Sequence, residues 1–212
     1  MFALADGLGG HSDGDKASRS VVETLSEIFY KSFDKSETFL TNGFNISQKV
    51  LLSKQNINGN ICKMKSTLIC LVLHDMQAQW GHIGDSRLYW FRNKKILLRT
   101  LDHSVSQILA LSGDITEREI RFHVDRNRLT RVMGEEWSSQ KYELSDLYKI
   151  KKHDRFLLCS DGFWEYIEDN EMINSYKKNN TAEQWLINMN NIFLNKSINK
   201  KTDNYSAITV CI

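Results

Sequence analysis

Residues 67–98 read TLICLVLHDMQAQWGHIGDSRLYWFRNKKILL, and this stretch decides the fold. Thr67–Leu73 (TLICLVL) is rich in β-branched and aliphatic residues, Gln79–Ile83 alternates weakly, and Arg87–Phe91 (RLYWF) is aromatic and apolar. Asn93, Lys94 and Lys95 form a short polar break before Ile96–Leu98. Short apolar runs joined by tight polar connections predict an antiparallel meander, because parallel strands need a crossover of a dozen or more residues.

The pattern changes on both sides of the meander. Val21, Val22, Leu25, Ile28 and Phe29 recur at helical spacing and predict a helix from about Ala17 to Phe33. A second helix is predicted over Thr38–Gln55, and two short ones over Ser104–Leu111 and Thr116–Phe122, where Thr116 and Glu119 have the spacing of a capping box. Phe156–Cys159 reads as a buried strand. Asp169–Lys178 and Thr181–Lys196 read as helices; in the second, Trp185, Met189, Ile192 and Phe193 share a face and Thr181 with Gln184 forms a capping pair. Tyr205–Ile212 is the last predicted strand. Neither a repeat nor a long linker interrupts the 212 residues, so one α+β domain is expected, with helices layered on antiparallel sheet.

Composition excludes several functions. At 41% hydrophobic and 25% charged residues the chain is an ordinary globular sequence. Its net charge of +2 is interspersed, with no basic block to bind nucleic acid. No stretch approaches the roughly 20 apolar residues that span a bilayer, and no signal peptide is visible. Cys62, Cys70, Cys159 and Cys211 form no CxxC pair, which removes the usual zinc spacing and fits a reducing cytoplasm.

Three aspartates stand where apolar runs meet turns. Asp6 closes FALAD and opens DGLGG, Asp161 closes FLLCSD before Gly162, and Asp203 opens DNYSAITVCI. If these runs are neighbouring antiparallel strands, the three carboxylates converge at one sheet edge. Clustered carboxylates repel one another and call for a hard cation. Each motif alone also reads as a simple turn. The glycine loop after Asp6 could cradle phosphate, but it lacks the Lys-Ser/Thr of a nucleotide-binding P-loop.

Taken in order, DGLGGH, STLICLVL, GHIGDSRLYWF, DHSV, NRLTRVMG, FLLCSDGFWEYI and DNYSAITV resemble the metal-dependent serine/threonine protein phosphatases of the type-2C class, especially their bacterial members. The resemblance covers about residues 2–212. It implies a four-layer α-β-β-α sandwich and two Mn²⁺ or Mg²⁺ ions, with a third, weaker ion as in bacterial members. It implies that Asp6 bridges both ions, that the Gly7 carbonyl binds one of them, and that Asp161 and Asp203 bind the other. It places Asp85 at the third, weaker ion together with Asp161, and Asn204 just behind the ligands. Catalysis by Asp6, Asp161 and Asp203 is then indirect: a water bridging two ions attacks phosphorus in phosphoserine or phosphothreonine, with no protein nucleophile. The implied partners are phosphorylated proteins and a cognate cytoplasmic Ser/Thr kinase, with neither nucleic acid nor membrane.

The resemblance also carries departures. The family places a strand pair, a phosphate-binding Arg and a Glu-Asp pair ahead of the DG motif, whereas Met1 opens directly on the FALAD run. An N-terminally incomplete domain with an exposed strand edge is expected, and a weakened or non-catalytic regulatory domain on the same fold is the alternative. Leu8 stands where eukaryotic members have a His, so His11, three residues on, is not assigned as general acid. Ser206 replaces the usual threonine of DNxT with another hydroxyl. Arg131 is expected in a structural ion pair, the remaining histidines as satisfied or surface imidazoles, and Trp164 and Tyr166 as packing residues. Residues from about 104 to 128 correspond to the family's flap, which borders the site.

Overall fold

The computed structural model describes residues 1–9, 12–31, 38–57, 60–137, 141–177 and 181–212. In chain order the elements are β1 (Phe2–Leu4), β2 (Gly7–Leu8), α1 (Ser12–Lys31), α2 (Phe39–Gln55), β3 (Asn56–Ile57), β4 (Asn60–Ile61), β5 (Lys65–Ser66), β6 (Leu68–His74), β7 (Gln77–Ile83), β8 (Arg87–Arg92) and β9 (Lys95–Arg99). There follow α3 (Val105–Ser112), β10 (Glu143–Leu144), β11 (Tyr148–Lys149), β12 (Arg155–Cys159), α4 (Asp161–Trp164), α5 (Asp169–Lys177), α6 (Ala182–Ser197) and β13 (Ala207–Cys211).

Two antiparallel sheets carry the architecture. One runs β1-β6-β7-β10, with β11 also pairing β7; the other runs β13-β12-β8-β9. Strand residues alternate between two buried faces, because each sheet is covered on both sides. Ile69, Leu71, Trp80, Leu88, Trp90, Phe156 and Leu158 fill the space between the sheets. Their sequence neighbours point the other way. Leu68, Cys70 and Ile83 meet Val21, Leu25, Phe44 and Leu51 of α1 and α2. Tyr89, Phe91, Leu157 and Cys159 meet Met172, Trp185, Met189 and Phe193 of α5 and α6. Three cores between four layers give the expected sandwich.

Four local expectations change. α1 begins at Ser12, about five residues earlier than its apolar stripe suggests, because Gly14 lets the first turn lie against the Gly7–Leu8 backbone. Residues 116–122 form turns and one 3-10 turn at Ile120–Phe122 in place of a helix: Glu119, Phe122 and His123 donate to carbonyls three residues back, so the coil is wound too tightly for an α-helix. Asp161 opens α4 instead of ending a strand, and the strand expected from Tyr205 starts at Ala207. Lys178, at the predicted end of the α5 helix, lies outside the described residues, as do Gly10 and His11.

Candidate metal centre

The three aspartates reach one cleft from both sheets. Asp6 follows β1 in the first sheet, whereas Asp161 follows β12 and Asp203 precedes β13 in the second. The shared edge expected from the sequence is therefore the open end of the sandwich. β12 and β13 pair from Arg155↔Cys211 to Cys159↔Ala207, which brings the Asp161 and Asp203 segments to the same end. β1 pairs β6 through Phe2↔Leu71 to Leu4↔Ile69 and delivers Asp6 opposite them. The cleft, about 970 Å³, is lined by Asp6, Gly7, Asp85, Asp161, Asp203 and Asn204 among others. The structure thus brings every expected ligand to one place.

Close backbone approaches hold the site together. A Cβ on Gly162 would collide with the Asn204 carbonyl, so the residue after Asp161 must be glycine for the Asp203–Asn204 loop to sit against it. Gly162 N–H donates to Asp161 Oδ1 at 2.7 Å, and Asn204 N–H donates to Asp203 Oδ1 at 2.8 Å. The Asn204 side chain is exposed, and its backbone is what holds Asp203. Trp164 Nε1–H donates to the Asp85 carbonyl at 3.0 Å, while the Arg87 guanidinium lies 3.4 Å from the Trp164 ring centroid. Arg87 itself grips Asp102 with two bonds, at 2.8 and 2.6 Å. Trp164 packs as expected, and it also fixes the Asp85 turn.

The electrostatics show strain between like charges. Burial, then the charge of Asp161 and a hydrogen bond shared with it, then the charge of Asp203, push Asp6 up to about 7. Burial, followed by Asp161, Asp102 and Asp6, holds Asp85 well above the ordinary carboxylate range. Burial also raises Asp161, against the Gly162 N–H that lowers it. Protons or divalent cations relieve such repulsion, and an all-oxygen donor set selects Mg²⁺ or Mn²⁺ over zinc. The residues present fit such ions. Thiols play no part: the buried Cys70 is pushed up to about 12 and Cys159 upward as well, and no cysteine lines the cleft.

Another group, His82, His103 and Glu143, has side-chain donors within 4.8 Å of one another. Its geometry is that of two buried imidazoles satisfied by backbone groups and an exposed glutamate. The two rings are stacked 4.7 Å apart at 17°, so their nitrogen lone pairs run side by side and do not converge. His103 Nδ1 accepts from Gly84 N–H at 3.1 Å, which leaves the proton on Nε2 facing Glu143 Oε1 at 3.1 Å. His82 Nε2 must carry its proton, because it lies 2.9 Å from the Leu101 carbonyl. Arg131 pairs with the same carboxylate at 3.0 Å, the structural ion pair expected of it.

The protein phosphatase 2C family model matches residues 1–202 of this chain. The chain belongs to the protein phosphatase 2C family. This phosphatase 2C chain is 29% identical over 194 residues to the serine/threonine phosphatase stp of Listeria monocytogenes, covering 87% of this chain and 74% of that protein. It superimposes on the serine/threonine phosphatase Stp1 of Staphylococcus aureus with a TM-score of 0.87 and 28% identity, covering 99% of this chain and 82% of that one. The same fold occurs in the catalytic domain of the phosphatase PstP, solved in complex with 2 manganese ions (TM-score 0.80, 23% identity, 98% of this chain and 86% of that one).

Sequence reasoning missed Thr67, Trp164 as a hydrogen-bond donor, and Gly14. Thr67 accepts from Asp6 N–H, Trp164 donates to Asp85, and Gly14 packs on Gly7. The partners of Thr67 and Trp164 lie 61 and 79 residues away, and the Gly14–Gly7 approach crosses a chain reversal that no local pattern marks.

Proposed function

We infer that this phosphatase 2C chain hydrolyses phosphoserine and phosphothreonine in proteins, using Mn²⁺ or Mg²⁺. The observation that carries the reading is the convergence of Asp6, Asp85, Asp161 and Asp203 from two sheets into one open cleft. Asp6, the Gly7 carbonyl, Asp161 and Asp203 would hold the two principal ions, and Asp85 together with Asp161 would hold a third. When bound, the ion pair activates a water and neutralises the phosphoryl oxygens. The chain itself supplies the carboxylates, those of Asp161 and Asp203 each held by a backbone N–H, at the wall of an open cleft of about 970 Å³. Metal-retaining carboxylates favour this catalytic reading over a regulatory domain on the same fold.

The substrates are phosphoproteins, and the activity opposes a cognate Ser/Thr kinase in the cytoplasm. Among the described residues no helix is long and apolar enough to cross a membrane. The residues from about 104 to 128 act as the flap over the cleft, and residues 1–212 as one phosphatase domain.

Phosphate release from a phosphothreonine peptide tests the reading. Activity is expected to require Mn²⁺ or Mg²⁺ and to vanish with chelator. Asp161→Asn is expected to lower it by more than about a hundredfold, the scale of the several kcal/mol a metal contributes. Undiminished turnover in that variant, or turnover in chelator, would overturn the assignment.

A further inference from the structure

We propose that Thr67 is a positioning residue whose side chain locks the Asp6 strand end and the Gly84–Asp85 turn into one rigid unit. The inference rests on the assignment of Asp6 and Asp85 as metal ligands and adds the residue that spaces them. Thr67 sits in the break between β5 and β6, where the ladder passes from the β2–β5 pair to the β1–β6 pair. At that break its hydroxyl takes a bond that a backbone carbonyl would take in a regular ladder. Asp6 N–H donates to Thr67 Oγ1 at 2.9 Å, and Thr67 N–H donates to the Asp6 carbonyl at 2.8 Å. Thr67 therefore reaches both backbone polar groups of Asp6, and Ser66 Oγ donates a further bond to the Asp6 carbonyl at 2.9 Å.

The other side of Thr67 meets the Asp85 turn. Its Oγ1 shares a 2.8 Å hydrogen bond with Ser86 Oγ, and both residues are fully or nearly fully buried, at 0% and 2% exposure. Its methyl group closes on Gly84, whose φ is +100°; a Cβ there would lie 2.6 Å from Thr67 Cγ2. Asp85 is thus flanked on one side by Gly84 against the threonine methyl and on the other by Ser86 against the hydroxyl. Thr67 lies 61 residues from Asp6 and 19 from Ser86, so one buried side chain fixes the separation of two carboxylates from different parts of the chain. Buried hydrogen bonds of this kind resist rearrangement because breaking one leaves an unpaired polar group.

Calorimetric titration of the full chain with Mn²⁺ tests the proposal without an activity readout. Thr67→Val removes the hydroxyl at nearly constant shape and is expected to weaken Mn²⁺ binding by about tenfold or more, the range for residues that orient metal ligands. Thr67→Ser keeps the hydroxyl and is expected to stay within about threefold of the parent, well short of that range. Ser86→Ala leaves the Asp6 bond intact and is expected to weaken only the lowest-affinity Mn²⁺ event. Asp6→Asn and Asp85→Asn run alongside. If they lose Mn²⁺ while Thr67→Val and Ser86→Ala bind like the parent, the positioning role is wrong and the ligand assignment stands. Parent-like binding in the two aspartate variants sinks the ligand assignment itself. Should Thr67→Val fail to fold, Ser86→Ala decides.

Discussion

Burial, and the His103 ring stacked on it, push the His82 imidazole down to about 4. An unfolded histidine titrates near 6.5, so between about 6.5 and 4 the unfolded chain takes up a proton that the folded chain refuses. Stability from this residue is present above that window and is lost as pH falls through it. Glu143 adds a second window: its hydrogen bond to His103 lowers it to about 2, so its contribution fades as pH falls below the usual glutamate range. The raised Asp6 and Asp85 act in the opposite sense, and a comparison with His82→Gln cancels them. The expected result is a melting temperature that falls less for His82→Gln than for the parent between pH 7 and pH 4.5; parallel curves would show that His82 carries no such linkage. Gly162 makes a second residue-scale prediction. Gly162→Ala forces a methyl onto the Asn204 carbonyl, at a cost of about 1–3 kcal/mol in denaturant unfolding and with weaker Mn²⁺ binding.

Arg121 belongs to the scale of elements. Its guanidinium donates to the Trp164, Glu165 and Ile167 carbonyls at 2.7, 3.1 and 3.4 Å, capping the end of α4 opposite Asp161. Arg126 adds a bond to Glu165 at 2.6 Å. Together they dock the 3-10 turn onto the segment that presents Asp161. Arg121→Ala is expected to speed hydrogen exchange across residues 114–128 and to cost about 1.5–3 kcal/mol, the worth of hydrogen bonds to a charged group. Unchanged exchange there would mean that the turn is held by other contacts. Neither arginine announces this role in sequence, since their partners lie 39 to 46 residues away. The capping signal at Thr116 and Glu119 was legible and real, with Glu119 Oε2 2.7 Å from Thr116 N, yet it closes a turn and not an α-helix.

Three cores stacked between four layers explain why so much of the whole molecule was legible. Leu88, Trp90, Phe156 and Leu158 must face the other sheet while Tyr89, Phe91, Leu157 and Cys159 face helices, so these strands read as continuous apolar runs. Phe156→Ala, in the middle core, is expected to cost about 3–5 kcal/mol in denaturant unfolding. The carboxylates were legible because each precedes or follows a glycine or turn at a run's end. Their distribution over two sheets was not, because pairing partners are set by long-range packing that no local pattern encodes. That distribution has a consequence for the lifetime of the protein. With ions held as proposed, Asp6 on one sheet and Asp161 and Asp203 on the other fasten the two halves of the sandwich at its open end, as a removable clasp. Mass action then adds about 2.7 kcal/mol of stability at a hundredfold excess of Mn²⁺ over its dissociation constant, so the melting temperature should climb with the logarithm of Mn²⁺ and fall back in chelator. Scarcity of manganese would then silence the enzyme and, by loosening the clasp, hand it to proteases.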